Sequence, residues 1–585
     1  MNEQRKLHLV LCWHMHQPDY RQYGSNEFDL PWTYLHAIKD YTDMAYHLEQ
    51  YPSAKAVFNF VPILLEQLED YSAQFSSGKI RDPLLRLLAL EDMAALAGED
   101  RDLLLSRCFS CNHETMILPY PCYQHLYEIW QLLNGHGEKR FNYLSGQYFA
   151  DLVTWYHLTW MGETVRRTTE LVPHLMSKGG QFTVEERRGL FELIGGLIAD
   201  LIPRYRKLSE EGRIELSTTP YYHPIAPLLL DFNSTLESMP HAKLPSAPVY
   251  PGGTERVLDH VNHAIETHRE RFGETPRGMW PAEGAVSQST LMLLARKGIE
   301  WVATGQGVLV NSLHEVYKGQ SLPDKNHYLY RPYLVNDGEN KLYCFFRDDR
   351  LSDLIGFEYA KWYGRDAVNN FVHQLERIYW DTPQDEAPLV SIILDGENAW
   401  EYYPYNGFYF LSELYEALVN HPFIHMTTFR GYLDACIDDG KNNQGELDFG
   451  DSCPVPGTLP RVVAGSWVYG TFSTWIGSPE KNHAWDLLCA AKQSFDMVMA
   501  SGRLSEEERQ AATRQLADCE ASDWFWWFGD YNPGPSVESF DKLYRENLSN
   551  LYRLLKIPVP EQLSIPISHG GGHADAGGTM RKSKF

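Results

Sequence analysis

Short apolar runs recur along this chain. Each ends in polar or acidic residues, and most are followed by a stretch with helical spacing. Leu7–Trp13 is apolar and turns polar at His14-Met15-His16-Gln17-Pro18. Ala56–Val61 is halted by Pro62, and Arg213–Thr218, Arg277–Trp280, Ile299–Thr304, Lys341–Phe346, Leu389–Leu394 and Ile424–Thr427 follow. Strands alternating with helices predict a parallel sheet. Seven or eight such units over more than 400 residues predict a TIM-like barrel. A helix-rich stretch from about 64 to 210 is predicted as one large insertion after the second strand. Past about Phe429 the strand pattern fades, and Asp438–Gly445 reads as a linker or exposed loop. Ala484–Met499 and Phe540–Leu555 carry amphipathic helical spacing. The Gly-rich stretch from His569 to Phe585 predicts disorder. The expected division is a barrel with its insertion at 1–430, a helical C-terminal domain at 431–565 and a disordered tail at 566–585.

Composition narrows the picture. The 585 residues exceed one compact core, and 43% hydrophobic with 22% charged residues describes a soluble globular chain. A net charge of −25 argues against nucleic acid or an anionic membrane surface as partner and suits a neutral substrate. Most of the 16 Trp, 35 Tyr and 26 Phe belong to the core, and a minority are candidate platforms for sugar rings. The nine cysteines are odd in number and irregular in spacing, so no disulfide framework is expected. Cys108-x2-Cys111, with His113 and Cys122 nearby, lacks a second half-site and reads as structural. No apolar run reaches the ~18 residues of a membrane span. Leu7–Trp13 is too short for a signal sequence, contains a His and precedes no small-residue cleavage site, so it reads as a first strand. A cytoplasmic protein is expected. Nothing in the sequence sets an oligomeric state.

Candidate chemistry gathers where the strands end: His14/His16, Glu215, Glu283, Asp348 and Asp395. In (β/α) barrels this rim carries the active site. Glu283 lies in Trp280-Pro281-Ala282-Glu283-Gly284, where Ser287 or Ser289 can cap the following helix without its help. Asp395 and Glu397 are two residues apart after an apolar run, so they point the same way and one pKa should rise. Two carboxylates from separate strand ends meet the needs of a retaining glycosidase. One attacks the sugar carbon and the other protonates the leaving oxygen, with the carboxyls about 5–6 Å apart. His14 and His16 have two readings: ligands for a divalent metal, with His223 and Asp348 as further ligands, or hydrogen-bond donors to sugar hydroxyls. Glu215 alternates with Ile214 and Leu216, so it should point into the barrel and need a partner, for which Arg347 is a candidate. Gly465-Ser466-Trp467, Thr474-Trp475-Ile476-Gly477 and Asp523–Asp530 offer indoles that either pack or wall a cleft.

These segments together resemble glycoside hydrolase family 57, whose members include α-amylases, amylopullulanases, 4-α-glucanotransferases and glycogen branching enzymes. The likeness runs through His16-Gln17-Pro18, Gly212–Ser217, Trp280-Pro281-Ala282-Glu283, Leu394–Glu401 and Gly465–Trp467 with Trp475–Gly477. Many members have Trp-Leu-Pro-Glu where this chain has Trp-Pro-Ala-Glu. The resemblance implies an incomplete, (β/α)7 barrel with a helical C-terminal domain, and a retaining mechanism without metal or other cofactor. It implies Glu283 as nucleophile, Asp395 as acid/base, and His14, His16, Glu215, Trp280, Trp467 and Trp475 around an α-glucan. The expected activity is of the α-amylase or amylopullulanase type, with 4-α-glucanotransferase or branching enzyme as the alternative on the same site. A metal-dependent carbohydrate hydrolase using His14/His16 and a non-catalytic glucan-binding protein are the readings from other classes.

Overall fold

A computed structural model describes residues 5–583 except 23, 135–140, 142, 319, 385, 442–446, 450–455 and 574–577. Seven parallel strands form the barrel: β1 (Leu7–Met15), β2 (Ala56–Phe60), β3 (Ile214–Thr218), β4 (Gly278–Met279), β5 (Trp301–Gly305), β6 (Lys341–Arg347) and β7 (Leu389–Asp395). They run in the order β6-β5-β4-β3-β2-β1-β7, and a β6–β7 pairing closes the ring. The expected seven-fold parallel barrel is therefore the observed one. Its strands are buried nearly throughout, which is why they read as apolar runs rather than as alternation. β4 is the shortest because Pro281 follows it and offers no N–H to a ladder.

The closing seam is thin. One registered pair, Arg347 with Ser391, joins β6 to β7. The Asp348 amide donates to the Ser391 carbonyl at 2.9 Å, and Arg347 Nε crosses to the Ile393 carbonyl at 2.8 Å. The run Ile424–Met426, the eighth candidate, does not enter the ring. It lies beside Leu7–Leu9 of β1, while β2 pairs with Cys12–Met15 further along. Two short strands escaped the pattern: Tyr333–Asn336, antiparallel to β6, and Gly457–Thr458 beside it.

The insertion between β2 and β3 is helical, from Pro62–Ser77 to the 27-residue Val184–Glu210. Pro62 occupies a first-turn position, the Asp82 carboxylate caps Pro83–Leu88, and Thr183 with Glu186 forms a capping box. Tyr205 docks the last helix on the barrel, its ring 4.9 and 4.8 Å from those of Phe58 and Phe60.

Helices Pro479–Ala500, Glu506–Cys519, Asp523–Trp527 and Gly534–Leu554 make up the C-terminal region. Glu520 ties it to the barrel side. Its buried carboxylate accepts Arg256 Nε and His260 Nε2, each at 2.8 Å. Burial alone would raise this acid, but Arg256 and His260 outweigh it and hold it down at about 2.

Three expectations are altered. Within Asp438–Gly445 the backbone is strand over Ile437–Lys441, paired antiparallel with Leu447–Phe449, and the rest of that linker lies outside the described residues. Cys436 is disulfide-bonded, whereas Cys12, Cys108, Cys111, Cys122, Cys344, Cys489 and Cys519 are free. The stretch expected to be a disordered tail makes defined contacts in its described part. Trp526 Nε1 donates to the Gly578 carbonyl at 2.7 Å, and Arg581 lies over the rings of Trp526 and Tyr531 at 4.5 and 4.2 Å. Aromatic faces able to receive a guanidinium override the low-complexity composition there. Among the described residues no helix is long and apolar enough to cross a membrane.

Candidate active site

A cavity of about 480 Å³ opens at the C-terminal ends of the strands. The barrel supplies His14, His16, Glu283, Asp395 and Glu397; the insertion adds Cys111 and Trp160; the C-terminal region adds Trp467, Asp523, Trp526 and Trp527.

Glu283 sits in the tight turn Ala282–Gly284 with φ 57° and ψ 24°, a left-handed conformation unusual for a side-chain-bearing residue. Trp467 clamps the turn twice. Its amide donates to the Glu283 carbonyl at 3.1 Å, and its indole Nε1 donates to Oε2 at 2.8 Å. Burial pushes the Glu283 carboxyl up to about 8, the indole N–H opposes the rise, and the charges of Asp395 and Asp523 add to it. Trp467 is itself held by the Arg347 guanidinium, 4.7 Å from its ring, and Arg347 is fixed by Asp349 and Asp353, each at 2.9 Å.

Asp395 is the last residue of β7, level with His14 of β1. Burial raises its pKa; the Asn398 amide, 3.0 Å from Oδ2, and the charges of Arg347 and His16 lower it. The next residue is Gly396, which leaves room for the Met15 side chain: a Cβ there would lie 2.2 Å from the Met15 sulfur. Glu397, two residues on, is buried with Oε1 accepting the His16 amide at 3.1 Å. Burial first and Asp395 second raise it well above the usual carboxylate range, against the His16 amide and Gln17, which lower it. The expected splitting of neighbouring acids thus falls most heavily on Glu397.

The histidines form a proton-ordered chain. Asn59 donates through Nδ2 to the Thr218 carbonyl at 2.8 Å, so its Oδ1, 2.7 Å from His14 Nδ1, must accept. His14 Nε2 then accepts from His223 Nε2 at 3.2 Å, and His223 Nδ1 accepts the Ser522 hydroxyl at 2.8 Å. Both rings are neutral. Burial lowers His14 to about 3 and His223 well below the ordinary histidine value, with the His16 charge adding in each case. His16 stacks on His223 with centroids 3.9 Å apart and reaches Asp523 at 2.8 Å.

Of the residues predicted for the site, Glu283, Asp395, His14, His16 and Trp467 meet at this cavity. Three do not. Glu215 lies at the opposite end of the barrel, near the start of β3, where Trp301 Nε1 donates to Oε1 at 2.7 Å and the Arg430 amide to Oε2 at 2.9 Å. Its partner is therefore not Arg347. Trp475 is wholly buried against Trp526, its carbonyl taking the Trp485 N–H at 3.0 Å. Trp280 is buried edge-on beneath Trp467, centroids 6.2 Å apart, and supports the turn from behind.

Asp348, proposed as a possible metal ligand, is buried elsewhere, accepting the Tyr330 hydroxyl at 2.8 Å. Cys108 is buried, Cys111 faces the cavity and Cys122 is exposed, and among the described residues the three form no group with metal-ligand spacing. His223, Asp523 and Trp160 were not chosen from sequence. In sequence His223 stands out only as a possible ligand, and Asp523 only as the edge of an aromatic cluster.

No match is found among curated proteins. The fold is shared with solved structures. A GH57-type branching enzyme from Pyrococcus horikoshii is 17% identical, with TM-score 0.55 over 94% of this chain and 89% of that one. A GH57 branching enzyme from Thermococcus kodakaraensis is 14% identical, with TM-score 0.55 over 94% and 90%. An α-amylase from Thermotoga maritima is 13% identical, with TM-score 0.53 over 96% and 94%. The family described as glycosyl hydrolase family 57 matches residues 10–444. With most of its length matched and its acids set on the rim of a seven-stranded barrel, the chain belongs to glycosyl hydrolase family 57.

Proposed function

We propose that this protein is a retaining enzyme acting on α-glucans, with Glu283 as nucleophile and Asp395 as acid/base. The observation that carries the reading is the shared cavity: both carboxyls line it, and Glu283 feels the Asp395 charge. Glu283 attacks the anomeric carbon while Asp395 protonates the departing oxygen. Asp395 then takes the proton of water, giving hydrolysis, or of a sugar hydroxyl, giving transfer. Substrate class follows family membership and the branching enzymes and amylase that share the fold. Buried atoms at the cavity without a partner among the described residues, His16 Nδ1, Glu397 Oε2 and Asp523 Oδ2, suit a hydroxyl-rich ligand. On this reading the barrel at 1–430 and the helical region at 431–565 each supply one wall.

The resting acids are ordered against their roles, since Glu283 is raised to about 8 whereas the general acid must hold the proton. The pair therefore works from its minor protonation state, in which the one shared proton sits on Asp395 and Glu283 is ionised for attack. kcat/KM should be bell-shaped, with its alkaline limb near 8.

The metal-dependent reading has one observation in its favour: single ligand atoms of His16, His223 and Asp523 lie within 4.8 Å of one another. The donor set fits poorly. The two imidazoles are stacked 22° from parallel, so their in-plane lone pairs do not converge, and both His223 nitrogens are engaged.

Product sizing after incubation with maltoheptaose, amylose and pullulan tests the proposal. Shorter products alone mean hydrolysis, longer ones 4-α-glucan transfer, and new α-1,6 links branching. Activity should survive exhaustive chelation. A chain inert on all three glucans, or silenced by the chelator, sinks the reading.

A further inference from the structure

The segment Gly578–Ser583 enters none of the steps above, yet it touches the site from two directions. Thr579 is part of the cavity wall. On one side the Gly578 carbonyl takes the Trp526 indole N–H, and Arg581 covers the same indole while its Nη2 donates to the Trp526 carbonyl at 3.2 Å. On the other side the segment crosses to the barrel. The Ser583 amide donates to Asp353 Oδ2 at 2.6 Å, and Lys582 reaches Glu358 at 3.1 Å. Asp353 is one of the two carboxylates holding Arg347, the cation over the Trp467 ring. A continuous run of contacts thus leads from Ser583 through Asp353, Arg347 and Trp467 to Glu283.

We propose that Gly578–Ser583 is a constituent of the active site: it walls the cavity through Thr579, lays the Arg581 guanidinium over the Trp526 indole that lines the same cavity, and steadies Trp467 through Asp353 and Arg347. Arg581 and Ser583 are positioning residues, and the inference rests on the reading of Glu283 as the attacking group. Of the groups that act electrostatically on Glu283, Asp395 and Asp523 oppose its ionisation, while Trp467 and Arg581 favour it. Arg581 is the one cation acting directly on this carboxyl among those charges, so its removal should make Glu283 harder to ionise.

The experiment compares full-length wild type, Arg581→Ala, Arg581→Lys and Ser583→Pro. Two quantities are measured: the pH profile of kcat/KM on maltoheptaose, and the pH titration of tryptophan fluorescence as a difference from the same protein carrying Glu283→Gln. For Arg581→Ala the alkaline limb and the fluorescence midpoint should both move up by roughly half a pH unit, and Arg581→Lys should restore them. Ser583→Pro deletes the amide donor to Asp353 and the hydroxyl donor to Asp349, the two carboxylates that hold Arg347, and should lower kcat severalfold without moving the limb. An unmoved midpoint in Arg581→Ala, or an equal shift in the Ala and Lys variants, overturns the proposal. If wild type turns over no glucan, the functional reading fails, and the fluorescence titration still decides whether Arg581 acts on Glu283.

Discussion

Two glutamates at opposite ends of one barrel make an instructive pair. Glu283 accepts the Trp467 indole N–H at 2.8 Å, and Glu215 accepts the Trp301 indole N–H at 2.7 Å. Burial raises both acids, to about 8 and about 7. Their surroundings then diverge. The second oxygen of Glu215 takes the Arg430 amide, and Trp301, Phe345 and Phe429 close an aromatic floor around it. Gly278 of β4 is the concession that lets Trp301 in, since a Cβ there would sit 1.7 Å from the indole. Glu283 has one oxygen anchored and a cavity in front of it. A buried acid with an indole partner is thus no mark of catalysis. What separates the two is whether the remaining lone pairs are spent on the protein or face a space a substrate can fill.

Isosteric amides break the comparison most sharply. Glu283→Gln should cost on the order of ten-thousandfold in kcat while glucan binding and melting temperature stay near wild type. Glu215→Gln should do the reverse. An amide placed between two N–H donors leaves one of them unpaired, at a cost of about 1–3 kcal/mol in stability, with kcat retained. Denaturant melts and single-turnover rates on the two variants decide it; loss of turnover in Glu215→Gln at full folding would put that acid in the mechanism.

Stability against pH sharpens the contrast. The folded pKa of Glu215 is raised from 4.5 to about 7, so the folded state binds the extra proton between those values. Its contribution is complete below pH 4.5 and is lost as pH rises through about 7. The loss is on the order of 3 kcal/mol by the conversion of one pKa unit to about 1.4 kcal/mol. Glu215→Gln should flatten that decline in urea melts taken across the window. An equally steep decline would mean Glu215 is already ionised in the fold.

Next come the indoles. Trp467→Phe should lower kcat by roughly a hundredfold and push the alkaline limb of kcat/KM upward, because the N–H that favours ionised Glu283 is gone. Trp301→Phe should leave the limb in place and lower the unfolding midpoint. Equal effects of the two substitutions on turnover would erase the distinction between rim and floor.

The sequence carried the barrel because its strands are buried on both faces and each stops at polar residues. It also carried Glu283, Asp395, His14 and His16, since rim residues follow directly from strand ends. It did not say which end of β3 Glu215 would occupy. In a five-residue strand, alternation gives the inward direction but not the depth. Nor did it separate Trp467 from Trp475. Both sit near glycine and serine, and only the fold sets one over Arg347 and the other under Trp526. His223 comes from the loop after β3 and Asp523 from the first turn of helix Asp523–Trp527, roughly 300 residues on, and they are brought together through Ser522 and His16. The short strand Tyr333–Asn336 was missed because its apolar run is only three residues long, between Pro332 and the turn at Asp337-Gly338, and it pairs with only the first half of β6.

The smallest effect bears on the proton order of Glu283 and Asp395, the two carboxyls proposed as the reacting pair. Asn398 Nδ2 donates to Asp395 Oδ2 and lowers its pKa, much as the Arg430 amide does for Glu215 on the floor. Asn398→Ala should therefore raise Asp395 and move the acidic limb of kcat/KM up by roughly half a unit, leaving the alkaline limb near 8. Ordinary general-acid logic expects only a narrower bell. If the pair works from its minor protonation state, bringing the Asp395 pKa closer to that of Glu283 puts the shared proton on Asp395 more often, by about threefold for half a unit. The rate at the optimum should then hold or rise although a supporting hydrogen bond has been deleted. A fall in that rate with unmoved limbs would assign Asn398 to holding the carboxyl in place, and would remove the reversed proton order from the mechanism.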